Sequence, residues 1–300
     1  MKFSIITPTY NTAPYLEETI ESVISQAGNF DIEYIVMDGG STDNTVEILK
    51  KYDQEIKSGA YKVHCNSLTF SWYSEKDKGM YDAINRGFAK ASGDVYTWIN
   101  ADDTYVPGAF QNIADAFVAF PDIQWIKGTT SNIEADGTLI RKGGVLIYEQ
   151  PLLAHGVYGR QAYFVEQDSV FWRADLWGKV GDIPAEYRLA GDYFLWIQFA
   201  RHAPLWSLNA PMSRFRKRSD QLSQQVAAYK KEQRTIMPKT GYEFSLLRVF
   251  FTLKSHLGPK FERLFRTLYP ALFMRSKKNY FIDIVSGEMV KKEATSYFID

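Results

Sequence analysis

The chain carries one cysteine in 300 residues, Cys65, so it forms no internal disulfide and no thiolate cluster for a metal. That scarcity fits a reducing cytoplasm. The formal net charge is zero, which gives no overall field to attract nucleic acid, and none is expected as a partner. No uninterrupted apolar run reaches the roughly 18 residues that a membrane span requires. The opening stretch, Met1-Lys2-Phe3-Ser4-Ile5-Ile6-Thr7-Pro8, does not read as a secretory leader, because its apolar run is short and cut by proline. No Gly-x-Gly-x-x-Gly follows a strand, and Gly-x-x-x-x-Gly-Lys-Ser/Thr is missing. The dinucleotide fingerprint and the Walker phosphate loop are thereby excluded. Internal repeats and low-complexity linkers are missing as well.

What remains is 45% hydrophobic and 15% aromatic, enough for a sizeable interior. Residues 3–7 read as a short buried strand. A helix from near Ala13 follows, with Leu16, Ile20, Val23 and Ile24 at helical spacing and acidic residues early. Tyr34-Ile35-Val36-Met37 reads as a second buried strand, and Val46, Ile48 and Leu49 mark a second helix. Trp72-Tyr73-Ser74 is a weaker strand before a helix from Met80 to Ala91. Val95-Tyr96-Thr97-Trp98-Ile99 is again a buried strand. This alternation predicts an α/β fold with a right-handed parallel sheet. Polar clusters follow the strands, where open α/β sheets bind ligands, so they should converge on one crevice. Beyond, residues 123–147 suggest a meander with glycine turns, and residues 169–201 read as mostly helical.

Two clusters carry the chemistry. Asp102 and Asp103 are adjacent carboxylates at the end of a buried strand, a costly arrangement unless something positive binds them. Mg²⁺ or Mn²⁺ bearing a diphosphate suits them, since such ions take one or two carboxylate oxygens and complete their shell with phosphate and water. The plainer alternative is a solvated turn that caps a helix at Asp103 or Thr104. Asp38-Gly39-Gly40-Ser41-Thr42-Asp43 allows a ligand to approach the backbone and a helix to be capped; it also serves as an ordinary strand–turn–helix connection.

Taken in order, Ile5-Ile6-Thr7-Pro8-Thr9-Tyr10-Asn11, Asp38-Gly39-Gly40-Ser41-Thr42-Asp43, Asp77-Lys78-Gly79-Met80-Tyr81-Asp82-Ala83-Ile84-Asn85-Arg86-Gly87 and Asn100-Ala101-Asp102-Asp103 resemble the four successive signatures of family 2 glycosyltransferases. The resemblance implies a GT-A fold, a nucleotide-sugar donor and inversion at the anomeric carbon. It implies that Thr7, Pro8, Thr9 and Tyr10 line the nucleoside, that Asp38 accepts from a uracil-type N–H, and that Asp77 and Gly79 close the other side of the base. Asn100 stands where the family usually has aspartate; with Ala101 it would flank the nucleotide. Asp102 corresponds to the metal ligand, and Asp103 would hold the loop or the donor sugar.

Further along, Arg188-Leu189-Ala190-Gly191-Asp192-Tyr193-Phe194-Leu195-Trp196 resembles the segment that carries the family's general base, which makes Asp192 the expected base. An aspartate opening a helix would look similar. Gln167, in Gln167-Asp168-Ser169-Val170-Phe171-Trp172-Arg173, would lie near the sugar. Phe215-Arg216-Lys217-Arg218 resembles a loop that usually has histidine where Arg218 stands; arginine cannot ligate a metal but would neutralise the leaving diphosphate. His155 and His202 have no metal-ligand spacing and read as surface or packing residues.

These readings place a catalytic domain over 1–240, with a nucleotide-binding half at 1–110 and an acceptor half at 111–240. A basic amphipathic helical tail that ends in a short hairpin would occupy 241–300. From Phe244 to Tyr280 eight lysines and arginines face a single acid, Glu262, amid Leu, Phe and Tyr. That pattern suits contact of 244–280 with the inner face of an anionic membrane, or equally packing on protein as in a dimer. A glycan or lipid-linked glycan in surface-polysaccharide assembly is the acceptor implied by the resemblance. A sugar-phosphate nucleotidylyltransferase and a silent nucleotide-sugar binding module are the competing readings. The first lacks its glycine-rich loop here, and Asp102 with Asp192 speaks against the second.

Overall fold

The first hundred residues alternate as expected: β1 (Lys2–Thr9), α1 (Ala13–Ile24), β2 (Asp31–Asp38), α2 (Thr45–Lys57), β3 (Ser67–Ser74), α3 (Met80–Phe88) and β4 (Val95–Trp98). The computed structural model describes residues 1–159, 164–219, 221–239, 279–294 and 298–299. Strand β1 runs past the expected end and includes Pro8. Its ladder with β4 stops at Ile6, so the missing N–H of Pro8 interrupts nothing on that side.

Next come β5 (Thr104–Tyr105), α4 (Ala109–Ala119), β6 (Trp125–Ile133), β7 (Leu139–Arg141), β8 (Val145–Leu146) and α5 (Gln150–Ala154). The second half continues with β9 (Val170–Arg173), α6 (Ala174–Val180), α7 (Gly191–His202), β10 (Leu205–Arg216) and α8 (Val226–Ile236). The described chain closes with β11 (Asn279–Val285), β12 (Glu288–Ala294) and β13 (Phe298–Ile299). The 169–201 stretch is therefore a strand followed by two helices.

The main sheet has the order β12-β11-β10-β6-β9-β4-β1-β2-β3. Strands β3, β2, β1 and β4 are parallel, and β9 runs antiparallel to both β4 and β6. The period of two along each buried strand builds two cores. Ile32, Tyr34 and Val36 of β2 join the face covered by α1, α2 and α4, while Ile35 and Met37 join the face of α3, α6 and α7. Helix α3 comes close to β1 because residue 87 is glycine; a Cβ there would lie 2.6 Å from Ile6 Cγ2. Trp98, Trp125, Trp172 and Trp196 form an aromatic floor beneath α7, with Trp98 and Trp196 stacked at 5.7 Å.

The expected hairpin exists, but it belongs to the sheet. β11 pairs antiparallel with β12 and parallel with β10, and Phe281 and Ile282 are buried. The amphipathic helices expected over 244–280 fall on residues 240–278, outside the described residues, apart from the two that open β11.

Candidate active site

The loops after β1 and β2 fasten to one another. Asn11, at φ 53°, donates its N–H to Ser41 Oγ at 2.8 Å, and its Oδ1 accepts from Thr42 N at 2.8 Å. Asp43 accepts from Ala13 N at 3.1 Å and from Thr45 N at 3.0 Å, so one carboxylate serves the starts of α1 and α2 together. Burial raises its pKa, but bonds from Thr45 and Ala13 outweigh this and hold it below the usual value. Thr7 is buried and accepts from Tyr34 Oη at 3.0 Å, Thr9 shares a bond with Thr12 at 2.5 Å, and Tyr10 is 61% exposed. Asp38 is buried, and its oxygens accept from Ser41 N, Ser41 Oγ at 2.5 Å and Ser74 Oγ at 2.6 Å. It ties the loop together on the edge of the crevice.

Next to Asp38, Asp77 accepts from Gly79 N at 2.8 Å and packs against Gly39, where a Cβ would meet Asp77 Oδ2 at 2.8 Å. Gly79 has φ +119°, a backbone conformation that requires glycine, and a Cβ there would lie 2.8 Å from Arg188 Nη1. Arg188 belongs to the segment of Asp192. The nucleotide signature and the expected base segment are thereby in contact.

Beyond β4, Ala101 is buried, Asn100 Nδ2 donates to Asp103 Oδ2 at 3.3 Å, and Asn100 Oδ1 is buried with no hydrogen-bond partner among the described residues. Asp103 is fully buried and accepts from Arg216 N at 2.9 Å. Burial, together with the charges of Asp102 and Asp168, pushes its pKa well above the usual carboxylate range. The buried Arg216 guanidinium donates to Asp102 O at 2.9 Å and Ala135 O at 2.8 Å and pairs with Glu18, which fixes the loop from behind. Asp102 is turned the other way. Its Oδ2 accepts from Arg218 Nε and Gln221 Nε2, each at 3.0 Å.

Oδ1 of Asp102 has no donor among the described residues, and no group of three or more His, Cys, Asp and Glu gathers there. One open carboxylate oxygen does not make a self-sufficient metal cage. It does fit Mg²⁺ or Mn²⁺ that arrives with a diphosphate, because these ions complete their shell with phosphate and water.

Asp192 stands in the first turn of α7, and Ala190, not Asp192, occupies the N-cap position. Its Oδ1 accepts from Tyr81 Oη at 3.3 Å and Tyr229 Oη at 3.4 Å, and its N–H donates to Tyr81 Oη at 3.1 Å. Burial raises the carboxyl to about 6, against the lowering effect of bonds from Tyr193 N, Tyr81 and Tyr229. Tyr81 is the second residue of α3, two positions after Gly79. Glu232 of α8 accepts from the N–H groups of Arg188 at 2.8 Å, Leu189 at 2.8 Å and Ala190 at 2.7 Å. Neither Tyr229 nor Glu232 was legible as a site residue, since α8 has no motif and meets the loop only through tertiary packing. Gln167 Nε2 donates to Trp98 O at 2.5 Å beside β4, and its neighbour Asp168 is buried with Oδ2 unpartnered. Burial raises Asp168 to about 6. His155 hydrogen-bonds Pro151 O at 2.7 Å, away from these clusters.

A model of glycosyl transferase family 2 matches residues 4–137. An uncharacterized glycosyltransferase of Nostoc is 32% identical over 117 residues, 39% of this chain and 33% of its own length. An uncharacterized glycosyltransferase of Mycobacterium tuberculosis is 30% identical over 192 residues, 63% of this chain and 65% of its own length. A PGL/p-HBAD biosynthesis glycosyltransferase of Mycobacterium bovis is 27% identical over 192 residues, 64% of this chain and 66% of its own length. The chain thus spans from a third to just under two thirds of these curated relatives.

Among solved structures, S. aureus TarS 1-349 in complex with UDP-GlcNAc superposes with a TM-score of 0.59 at 18% identity, covering 92% of this chain and 76% of TarS 1-349. The mannosyltransferase PcManGT of Pyrobaculum calidifontis, in complex with GDP-Man and Mn²⁺, gives 0.56 at 15% identity, covering 85% and 70%. At such identities the likeness concerns the fold, which is of the GT-A type. The matched residues 4–137 contain all four loops described above, and over them the chain is similar to glycosyltransferase family 2.

Proposed function

We propose that the chain is an inverting glycosyltransferase that moves a sugar from a nucleoside diphosphate donor, with UDP as the nucleotide, to an acceptor hydroxyl. The observation that carries this reading is the carboxyl of Asp192, raised to about 6 and joined through Tyr81 to the helix that opens on the nucleotide loop. A base of that pKa is mostly ionised at neutral pH and still able to take a proton. The acceptor oxygen attacks the anomeric carbon, the bond from that carbon to the diphosphate oxygen breaks on the opposite face, and the hydroxyl proton passes to Asp192. Arg218 would meet the negative charge that develops on the diphosphate.

A Mg²⁺ or Mn²⁺ ion, held by Asp102 with the donor's phosphates, would supply further positive charge there. The unpartnered Asn100 Oδ1 is suited to accept from a ribose or sugar hydroxyl. Thr7, Pro8, Thr9, Tyr10, Asp38, Asp77 and Gly79 form the walls for the nucleoside, with Gln167 on the sugar's side and the fully buried Asp103 holding the loop. The TarS and PcManGT complexes, with UDP-GlcNAc and with GDP-Man and Mn²⁺, support a nucleotide-sugar and a divalent ion as ligands. For the acceptor we favour a lipid-linked glycan of surface-polysaccharide assembly, presented at the inner face of the membrane.

The test is turnover of UDP-sugars in the presence of Mn²⁺ and an acceptor panel, read as release of UDP and formation of glycoside. Asp192→Asn is expected to lower kcat by about 10²-fold or more while leaving nucleotide affinity within a few fold. An unchanged kcat removes Asp192 from the chemistry. Release of pyrophosphate from a nucleoside triphosphate and sugar phosphate would establish a nucleotidylyltransferase instead.

A further inference from the structure

The carboxylate expected to receive the metal already has a cation. Arg218 Nε lies 3.0 Å from Asp102 Oδ2, and the two side chains are only 16% and 10% exposed. Gln221 braces the pair: its Nε2 donates to the same oxygen at 3.0 Å, while its Oε1 accepts from Arg218 N at 3.0 Å. The ring of Tyr15 lies against the guanidinium at 4.8 Å. Removing one partner from such a shielded pair leaves an uncompensated charge, which is strongly unfavourable. A divalent ion arriving alone at Asp102 would therefore add two positive charges beside a guanidinium held on the same carboxylate. A diphosphate changes this, because its oxygens accept a guanidinium at least as well as a carboxylate does.

We propose that Arg218 is an exchangeable counter-ion: it neutralises Asp102 in the nucleotide-free protein and passes to the diphosphate when donor and metal enter together. The inference rests on the reading of Asp102 as the metal's ligand. Each negative group then keeps a cation before and after the exchange. Metal and nucleotide become a coupled pair, each strengthening the other by the same factor.

The experiment is titration of Mn²⁺ into the full chain by calorimetry, without nucleotide and with whichever of UDP and GDP binds the tighter. The wild-type protein is expected to bind Mn²⁺ about tenfold or more weakly without nucleotide than with it. Arg218→Gln should tighten the binding of Mn²⁺ alone and shrink the difference between the two arms. Arg218→Lys keeps the charge on a single point of contact, so its metal-only affinity should rise less, in the same direction. If Arg218→Gln is poorly folded, the lysine variant carries the comparison. The proposal is overturned if wild-type protein binds Mn²⁺ equally with and without nucleotide, or if neither variant tightens metal-only binding. Asp102→Asn separates the two ideas. Loss of Mn²⁺ in both arms supports Asp102 as the ligand, whereas unchanged binding of Mn²⁺ with nucleotide sinks that reading itself.

Discussion

The pKa of Asp192 has two opposite consequences. A carboxyl raised by burial to about 6 from an ordinary value near 3.8 costs stability whenever it is ionised. The sign follows from proton binding: the folded form holds the proton more tightly, so stability is fullest below the ordinary pKa and declines as pH rises through about 6. With Asp192 as the proposed base, activity is expected to run the other way, rising through the same region as that carboxyl ionises. Tyr229 Oη donates to the carboxylate at 3.4 Å and favours its charged form. Tyr229→Phe should therefore move the acid limb of the kcat–pH profile to higher pH, with the plateau little changed. A limb that stays in place would mean that Tyr229 packs beside the carboxyl without governing its proton.

Among the elements, α3 bears the heaviest duty, since it opens at the nucleotide loop with Gly79, carries Tyr81 to Asp192 and touches β1 through Gly87. Gly87→Ala places a methyl 2.6 Å from Ile6 Cγ2, between two packed elements. Overpacking of that kind costs about 1–3 kcal/mol, partly offset by the roughly 1 kcal/mol by which alanine favours a helix over glycine. The urea midpoint should fall, and kcat with it, because a displaced α3 carries Tyr81 away from the base. An unchanged midpoint would show that helix and strand can separate without cost.

This is also the scale at which the sequence was readable. Periodicity marks α1 and α3, each with one buried face, and a continuous apolar run marks β2, which is buried on both, so a local pattern suffices. Pairings across long separations leave no such trace. Nothing in Asn279–Val285 announces a register with Leu208, and nothing in Gln221–Glu232 announces Arg218 on Asp102 or Glu232 on the amides before Asp192. The four loops could be read as a site because the carboxyl ends of adjacent parallel strands meet by topology, whatever their distance in sequence.

For the whole molecule, the placement of the last strands decides how membrane contact is to be measured. Removing everything after residue 240 would strip β11 from β10 and expose the surface that buried Ile282 covers, so a lost interaction would say nothing about charge. Replacing Arg263, Arg266, Arg275 and Lys277 by glutamine keeps the hairpin. If 244–280 meets an anionic surface, that variant should float less with phosphatidylglycerol vesicles at low salt than the parent chain, while neither floats with neutral vesicles. Equal flotation of the two proteins would leave the segment to contacts with protein.

The antiparallel strand β9 sits between β4 and β6, and this sets an order in time. While the chain emerges from the ribosome, β1 to β4 can pair as soon as they are made, since each neighbour lies within the first hundred residues. The free side of β4, with Val95 and Tyr96, has no partner until Trp172 and Arg173 have been synthesised. Strand β6, made earlier, cannot fill the gap, because it too reaches the sheet through β9. For that interval the nascent protein holds the paired strands β1 to β4 beside an open strand edge, a state exposed to wrong pairing. Helix α7, made later still, lays Asp192 against Tyr81, and α8 follows with Tyr229 and Glu232.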